Sequence, residues 1–155
     1  MRAFVLIFGL FLHALCAAQT PAPEPSPAEG NPAATDRAPA LRVRLHDLAG
    51  ALANDGFKLR DRVWSGRLEG GKPARLAVNL FAGNHYWFCA AATPEVKEVK
   101  VSLFDAKGQP VETLEHTEPG LAAAGLIAPA TGEYFVQIGS ADGAAGEFCL
   151  LYLFK

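Results

Sequence analysis

This chain of 155 residues is poor in the side chains that chemistry most often needs. It has three cysteines, four histidines and one methionine, too few for a metal cluster unless they fall close together. They do not. His46, His85 and His116 stand in different expected elements, and no two have the spacing of a zinc motif. No serine sits in a nucleophile-elbow pattern, since Ser65 is followed by a single glycine in what reads as a strand. Gly70 with Gly71, and Gly143 with Gly146, lack the helix behind them that a phosphate cradle requires, and they read as turns. Basic clusters are missing too. The 14 Lys and Arg are interspersed with 16 Asp and Glu, so nothing prepares a surface for nucleic acid.

What is present first is an address. Met1 and Arg2 precede the apolar run Ala3 to Leu15, followed by Cys16, Ala17 and Ala18. A short positive start, an apolar stretch and small residues form a secretory signal, with cleavage expected after Ala18. The alternative, Cys16 as the lipidated first residue of a lipoprotein, is opposed by the bulky Leu15 directly before it. Loss of Arg2 with the signal takes the formal charge from −2 to −3. The apolar run is short for a bilayer and no second one follows, so the mature chain is read as having no transmembrane segment and as periplasmic or secreted.

Gln19 to Ala40 carries Pro21, Pro23, Pro25, Pro27, Pro32 and Pro39 among Ala, Glu, Ser and Thr. Such a segment cannot bury enough apolar surface to offset the entropy of ordering it, and it is read as a disordered linker, either a spacer or a plain tail. From residue 41 to 55 the period changes. Leu41, Leu45, Leu48, Ala49 and Leu52 recur at helical spacing and predict one amphipathic helix, stopped by Asn54, Asp55 and Gly56. Its leucine stripe packs on the following domain or caps an open end of it; a partner-binding role is the alternative.

Residues 56 to 155 read as strands. Phe57 to Leu68 predicts one or two short ones, and Glu69 to Pro73 a turn. Ala74 to Ala91, ARLAVNLFAGNHYWFCAA, reads as a central β-hairpin turning at Ala82, Gly83 and Asn84. The successive Tyr86, Trp87 and Phe88 imply a strand buried on one face and partly covered on the other. A two-residue turn would set Val78 opposite Cys89 and turn the cysteine inward. A three-residue turn would instead aim Tyr86, Phe88 and Ala90 at the core. Val99, Val101 and Leu103 alternate with Lys100 and Ser102. Shorter or less regular strands are expected near Val111 to Leu114, at Leu121 to Ile127, at Glu133 to Ile138 and at Glu147 to Phe154. The sum is an antiparallel, jelly-roll-like β-sandwich of about seven or eight strands with one N-terminal amphipathic α-helix.

Three segments taken together resemble a known family. They are Leu80, Phe81, Ala82, Gly83, Tyr86 and Phe88; then Val99, Val101, Leu103, Phe104, Asp105 and Gly108; then Ala128, Pro129, Thr131, Gly132, Tyr134, Val136 and Ile138. Their order and spacing are similar to the bacterial pre-peptidase C-terminal domain, over about Phe57 to Phe154. The resemblance implies a jelly-roll-like module appended to secreted proteases and other exported proteins, some of which bind calcium or polymeric substrates. Paired acids often precede the middle strand in that family. Here the stretch reads Glu95, Val96, Lys97, Glu98, Val99, Lys100, so a calcium site is not carried over and no cofactor is expected. No protease domain accompanies the module in this sequence.

In an exported chain Cys89 and Cys149, each within an expected strand, predict a disulfide. It would close a loop of about 60 residues and contribute roughly 4 kcal/mol. Trp64, Tyr86 and Trp87, with Phe57, are candidates for an aromatic binding surface. The expected function is a non-catalytic, monomeric binding or accessory module that meets a protein or carbohydrate at the bacterial envelope. The alternative is a small secreted hydrolase or metal-binding protein, and it requires His85, His116, Asp105 and Glu112 to meet in one cleft.

Overall fold

A computed structural model describes residues 38–60 and 62–155. The secretory signal, Cys16 and almost all of the proline-rich segment lie outside the described residues.

The helix, α1, runs Ala38–Ala53, three residues earlier than its apolar stripe announces. Pro39 is tolerated in the first turn because the N–H it lacks would have had no intrahelical partner there. At the other end Asp55 N–H donates to Leu52 O and Gly56 N–H to Ala53 O, both at 3.0 Å. Gly56 closes the turn at φ +86°, a conformation that a side chain would strain.

Ten strands follow: β1 Lys58–Leu59, β2 Trp64–Leu68, β3 Ala74–Leu80, β4 His85–Ala92, β5 Val99–Asp105, β6 Pro110–Val111, β7 Leu114–Glu118, β8 Leu121–Ile127, β9 Gly132–Ser140 and β10 Gly146–Phe154. All pairings are antiparallel. One sheet has the order β1-β10-β4-β8-β7, with β2 also on β10, and the other has β3-β9-β5-β6. With β1 and β7 set aside, β2-β10-β4-β8 faces β3-β9-β5-β6, the strand order of a jelly roll.

The hairpin expectation is corrected here. β3 and β4 belong to different sheets: β3 pairs with β9, and β4 lies between β10 and β8. The Ala82-Gly83-Asn84 turn carries the chain across the sandwich. Gly83 N–H donates to Ala128 O at 2.9 Å and Ala82 N–H to Thr131 Oγ1 at 2.9 Å, so its backbone partners come from the β8–β9 loop. The facing of β4 follows the second alternative. Tyr86, Phe88 and Ala90 enter the core between the sheets with Val78, Leu103, Val136, Ile138 and Leu150.

The opposite side of β4 and β10 forms a second core under α1. Leu41, Leu45 and Ala49 pack against Cys89, Ala91, Ala123, Cys149, Leu151 and Leu153. Small residues dominate the sheet side, which lets the helix approach closely. It also explains β8, Leu121–Ile127, whose alanines are buried on both faces because they lie between two packed layers. Arg44 Nη2 donates to Pro119 O at 2.8 Å and ties the helix to the β7–β8 turn. The helix thus roofs one sheet, and the stripe serves the chain's own core. β7 was not anticipated: all five of its residues are exposed, so it shows no alternation, and its Glu115 and Glu118 guard an open sheet edge.

Candidate functional site

Cys89 and Cys149 are adjacent in space but free. β4 and β10 pair with Cys89 opposite Leu151 and Cys149 opposite Ala91, so the two thiols share a face and stand on different rungs. Diagonal neighbours of this kind lie about 7–8 Å apart, beyond the usual reach of a disulfide. The expected bond is therefore corrected to two buried thiols. Cys149 Sγ lies 3.2 Å from Ser65 Oγ on β2. Burial pushes the Cys89 thiol up to about 12, which keeps it protonated and without nucleophilic character.

The three expected surface aromatics do not form one surface: Tyr86 and Trp87 border one groove, and Trp64 is apart from it. Trp64 stacks on Tyr152 at 5.7 Å on the inner side of its sheet, with Arg62 5.5 Å from its ring. Tyr86 is buried, and its hydroxyl accepts the Phe81 N–H at 2.9 Å. Only Trp87 points outward. With Phe57, His85, Leu114, Gly125 and Ile127 it lines a groove of about 390 Å³. The indole lies against Gly125, where the missing side chain makes room for the ring.

The dispersed set of the hydrolase alternative does not converge. His85 and Glu112 line the Trp87 groove. His116 is in the open on β7, 3.2 Å from Glu118. Asp105 closes its own turn by accepting the N–H of Lys107 at 2.9 Å and of Gln109 at 2.8 Å, and shares a separate cleft of about 670 Å³ with Glu112. Among the described residues no group of three or more His, Cys, Asp or Glu is placed to hold a metal ion.

The feature that sequence reasoning missed is the outer face of the β3-β9-β5-β6 sheet, which no helix covers among the described residues. Its side chains fall in rows across the strands. Arg75, Gln137 and Ser102 form one rung, and Ala77, Phe135 and Phe104 the next. Lys100 stands beside Gly139 on the rung preceding Ser102. The Arg75 guanidinium lies 5.1 Å from the Phe104 ring centre and 5.7 Å from that of Phe135, and its Nη2 donates to Gln137 Oε1 at 3.1 Å. Beside this rung is a recess of about 200 Å³, lined by Lys72, Lys100, Ser102, Gln137, Gly139 and Ser140 among others. Two nearby carboxylates are already engaged: Glu69 pairs with Lys72 at 3.2 Å, and Asp142, next to the lining Ala141, accepts the Ser140 hydroxyl and the N–H groups of Lys97 and Ala144, which hold its pKa below the ordinary value. The period of two hinted at each strand's outward side. Only the pairing of β9 with both β3 and β5 brings those sides into one array.

No protein-family model matches the chain, and no curated protein matches it. The described residues include no helix long and apolar enough to cross a membrane.

Proposed function

We propose that this chain is an exported, non-catalytic binding module of the bacterial envelope or secretome. The observation that carries the reading is the contrast between the two sheets. One has its outer face roofed by α1, while the other presents an array of cations, amide, hydroxyl and aromatic rings around a recess, with no helix over it among the described residues. Side chains spread in rows over a sheet suit contact with an extended ligand, whereas acid–base chemistry needs groups converging on one reacting atom. The Arg2 start, the apolar run and the small residues up to Ala18 support export. A jelly-roll strand order is the architecture that the resemblance to the pre-peptidase C-terminal domain implies.

The test is incubation of the purified chain with envelope polysaccharide and peptide fractions, following both retention and release of soluble fragments. Retention without time-dependent release is the expected result. Steady release of sugar or peptide that is lost in Glu112→Gln or His85→Ala would reject the reading in favour of the hydrolase.

A protein partner is the second reading, favoured by one observation. Phe81, Leu114 and Ile127 are 62%, 71% and 59% exposed, and Leu114 and Ile127 flank the Trp87 groove. Leu114→Glu would abolish retention under that reading and leave it unchanged under the first.

A further inference from the structure

We infer that the uncovered face of the β3-β9-β5-β6 sheet takes an anionic polysaccharide bearing carboxylates, a uronate-type chain, with the recess beside Gln137 receiving the carboxylate. This rests on the binding-module reading and adds the ligand class.

The recess offers mainly donors. Arg75 donates to Gln137 Oε1, which orients the amide and leaves both N–H groups of its NH2 to donate. Lys100 is exposed and makes no ion pair among the described residues. Lys72 is held only by the i,i+3 pair with Glu69 at 3.2 Å; both side chains are more than two-thirds exposed, a contact weak enough to yield to a ligand. Ser102 adds a hydroxyl free to turn either way. Asp142, next to the lining Ala141, is already engaged, by the Ser140 hydroxyl and Ala144 N–H of its own loop and by the Lys97 N–H of the β4–β5 connection. Glu133 is on the far side of the aromatic rung, opposite Asn79. A donor-rich recess selects an acceptor, and two ammonium groups select a negative one.

The surroundings select a sugar polymer over other anions. The rungs from Lys100 to Phe104 span about 13 Å of strand, room for a run of rings. Phe104 and Phe135 are half-buried, and the Arg75 guanidinium is held over both rings, so apolar surface and a fixed cation are side by side, which suits a sugar ring with C–H faces and polar edges. The exposed large apolar side chains that a protein interface would bury, Val43, Leu59, Phe81, Leu114 and Ile127, are all elsewhere. Three cations on a chain of net charge −2 are too few to neutralise a nucleic acid.

The experiment uses the secreted chain with sodium polygalacturonate and with the same polymer fully methyl-esterified, followed by calorimetry and affinity electrophoresis at low and moderate salt. Binding of the sodium form, at least ten-fold weaker binding of the ester, and a several-fold loss in each of Lys100→Gln and Arg75→Gln are expected. Lys58→Gln on β1 should bind as the parent does. The three side chains are exposed, and matching melting curves confirm folding. Equal binding of the two polymers, or equal weakening by Lys58→Gln, would show undirected charge attraction and overturn the site. Retention of a neutral polysaccharide or an envelope protein with Lys100→Gln and Arg75→Gln unaffected would overturn the anionic ligand while leaving the module reading intact. Depolymerisation of the polymer would overturn both.

Discussion

Trp87 and Gly125 occupy one rung of β4 and β8, and the indole fills the space a side chain at 125 would need. A Cβ on Gly125 would lie 2.7 Å from ring atoms of Trp87. Gly125→Ala therefore either displaces the ring or strains the strand. The expected cost is about 1–3 kcal/mol, the usual range for overpacking. A lower melting temperature together with altered tryptophan emission would report it; an unchanged melt and spectrum would mean the ring does not rest there.

Leu45 is fully buried at the centre of the helix stripe. Leu45→Ala removes a side chain that the alanines and cysteines beneath it are too small to replace, and it should destabilise by about 2–5 kcal/mol. Denaturant unfolding measures the loss. Hydrogen exchange should show whether α1 opens with the sandwich or ahead of it.

The two buried thiols give a redox prediction. Peptides containing Cys89 and Cys149 should both be alkylated after denaturation without reductant, and dithiothreitol should not shift the native melt. A reductant-sensitive melt would require the β4–β10 register to differ from the one described.

Cys89 also sets an alkaline limit. Its folded pKa, raised to about 12 from 9.0, means the unfolded chain releases this proton first. The stabilisation is complete below pH 9 and is lost as pH rises from there toward 12. Cys89→Ala should flatten that limb of the stability profile relative to the parent.

Asp142 acts at the other end of the scale. Its pKa is lowered from 3.8, first by the Ser140 hydroxyl and then by the N–H of Ala144. The folded carboxylate holds its charge longer than the unfolded one, so this contribution is present above pH 3.8 and lost as pH falls through the lower folded value. In Asp142→Asn the acid limb of a melting-temperature profile should be shallower. An unchanged limb would mean that the Ser140–Ala144 loop does not need the charge.

Much of this architecture was legible because it is written at short range. The leucine stripe of α1 shows a period of 3.6, β5 and β9 show a period of two, and Gly56, Gly83 and Gly108 sit where the chain needs positive φ. The turn at Ala82 to Asn84 was just as visible, but its meaning was not. A tight turn between two apolar strands can close a hairpin or pass from one sheet to the other, and the bonds that decide it come from Ala128 and Thr131, more than forty residues away. β7 left no signal because a strand exposed on both faces has no reason to alternate.

By itself, then, the sequence determined the class of the fold: a helix with one apolar stripe and a series of strands, most with an apolar side, whose side-chain periods follow from backbone geometry alone. Which strands lie together was decided in three dimensions, because pairing depends on residues far apart in the chain. That choice placed Cys89 and Cys149 on neighbouring strands but different rungs, since a two-residue offset separates side chains that share a face. It scattered Trp64, Tyr86 and Trp87 between a core and a groove. It also brought Arg75 from β3, Gln137 from β9 and Ser102 from β5 onto one rung, an array that exists only because β9 hydrogen-bonds on both sides.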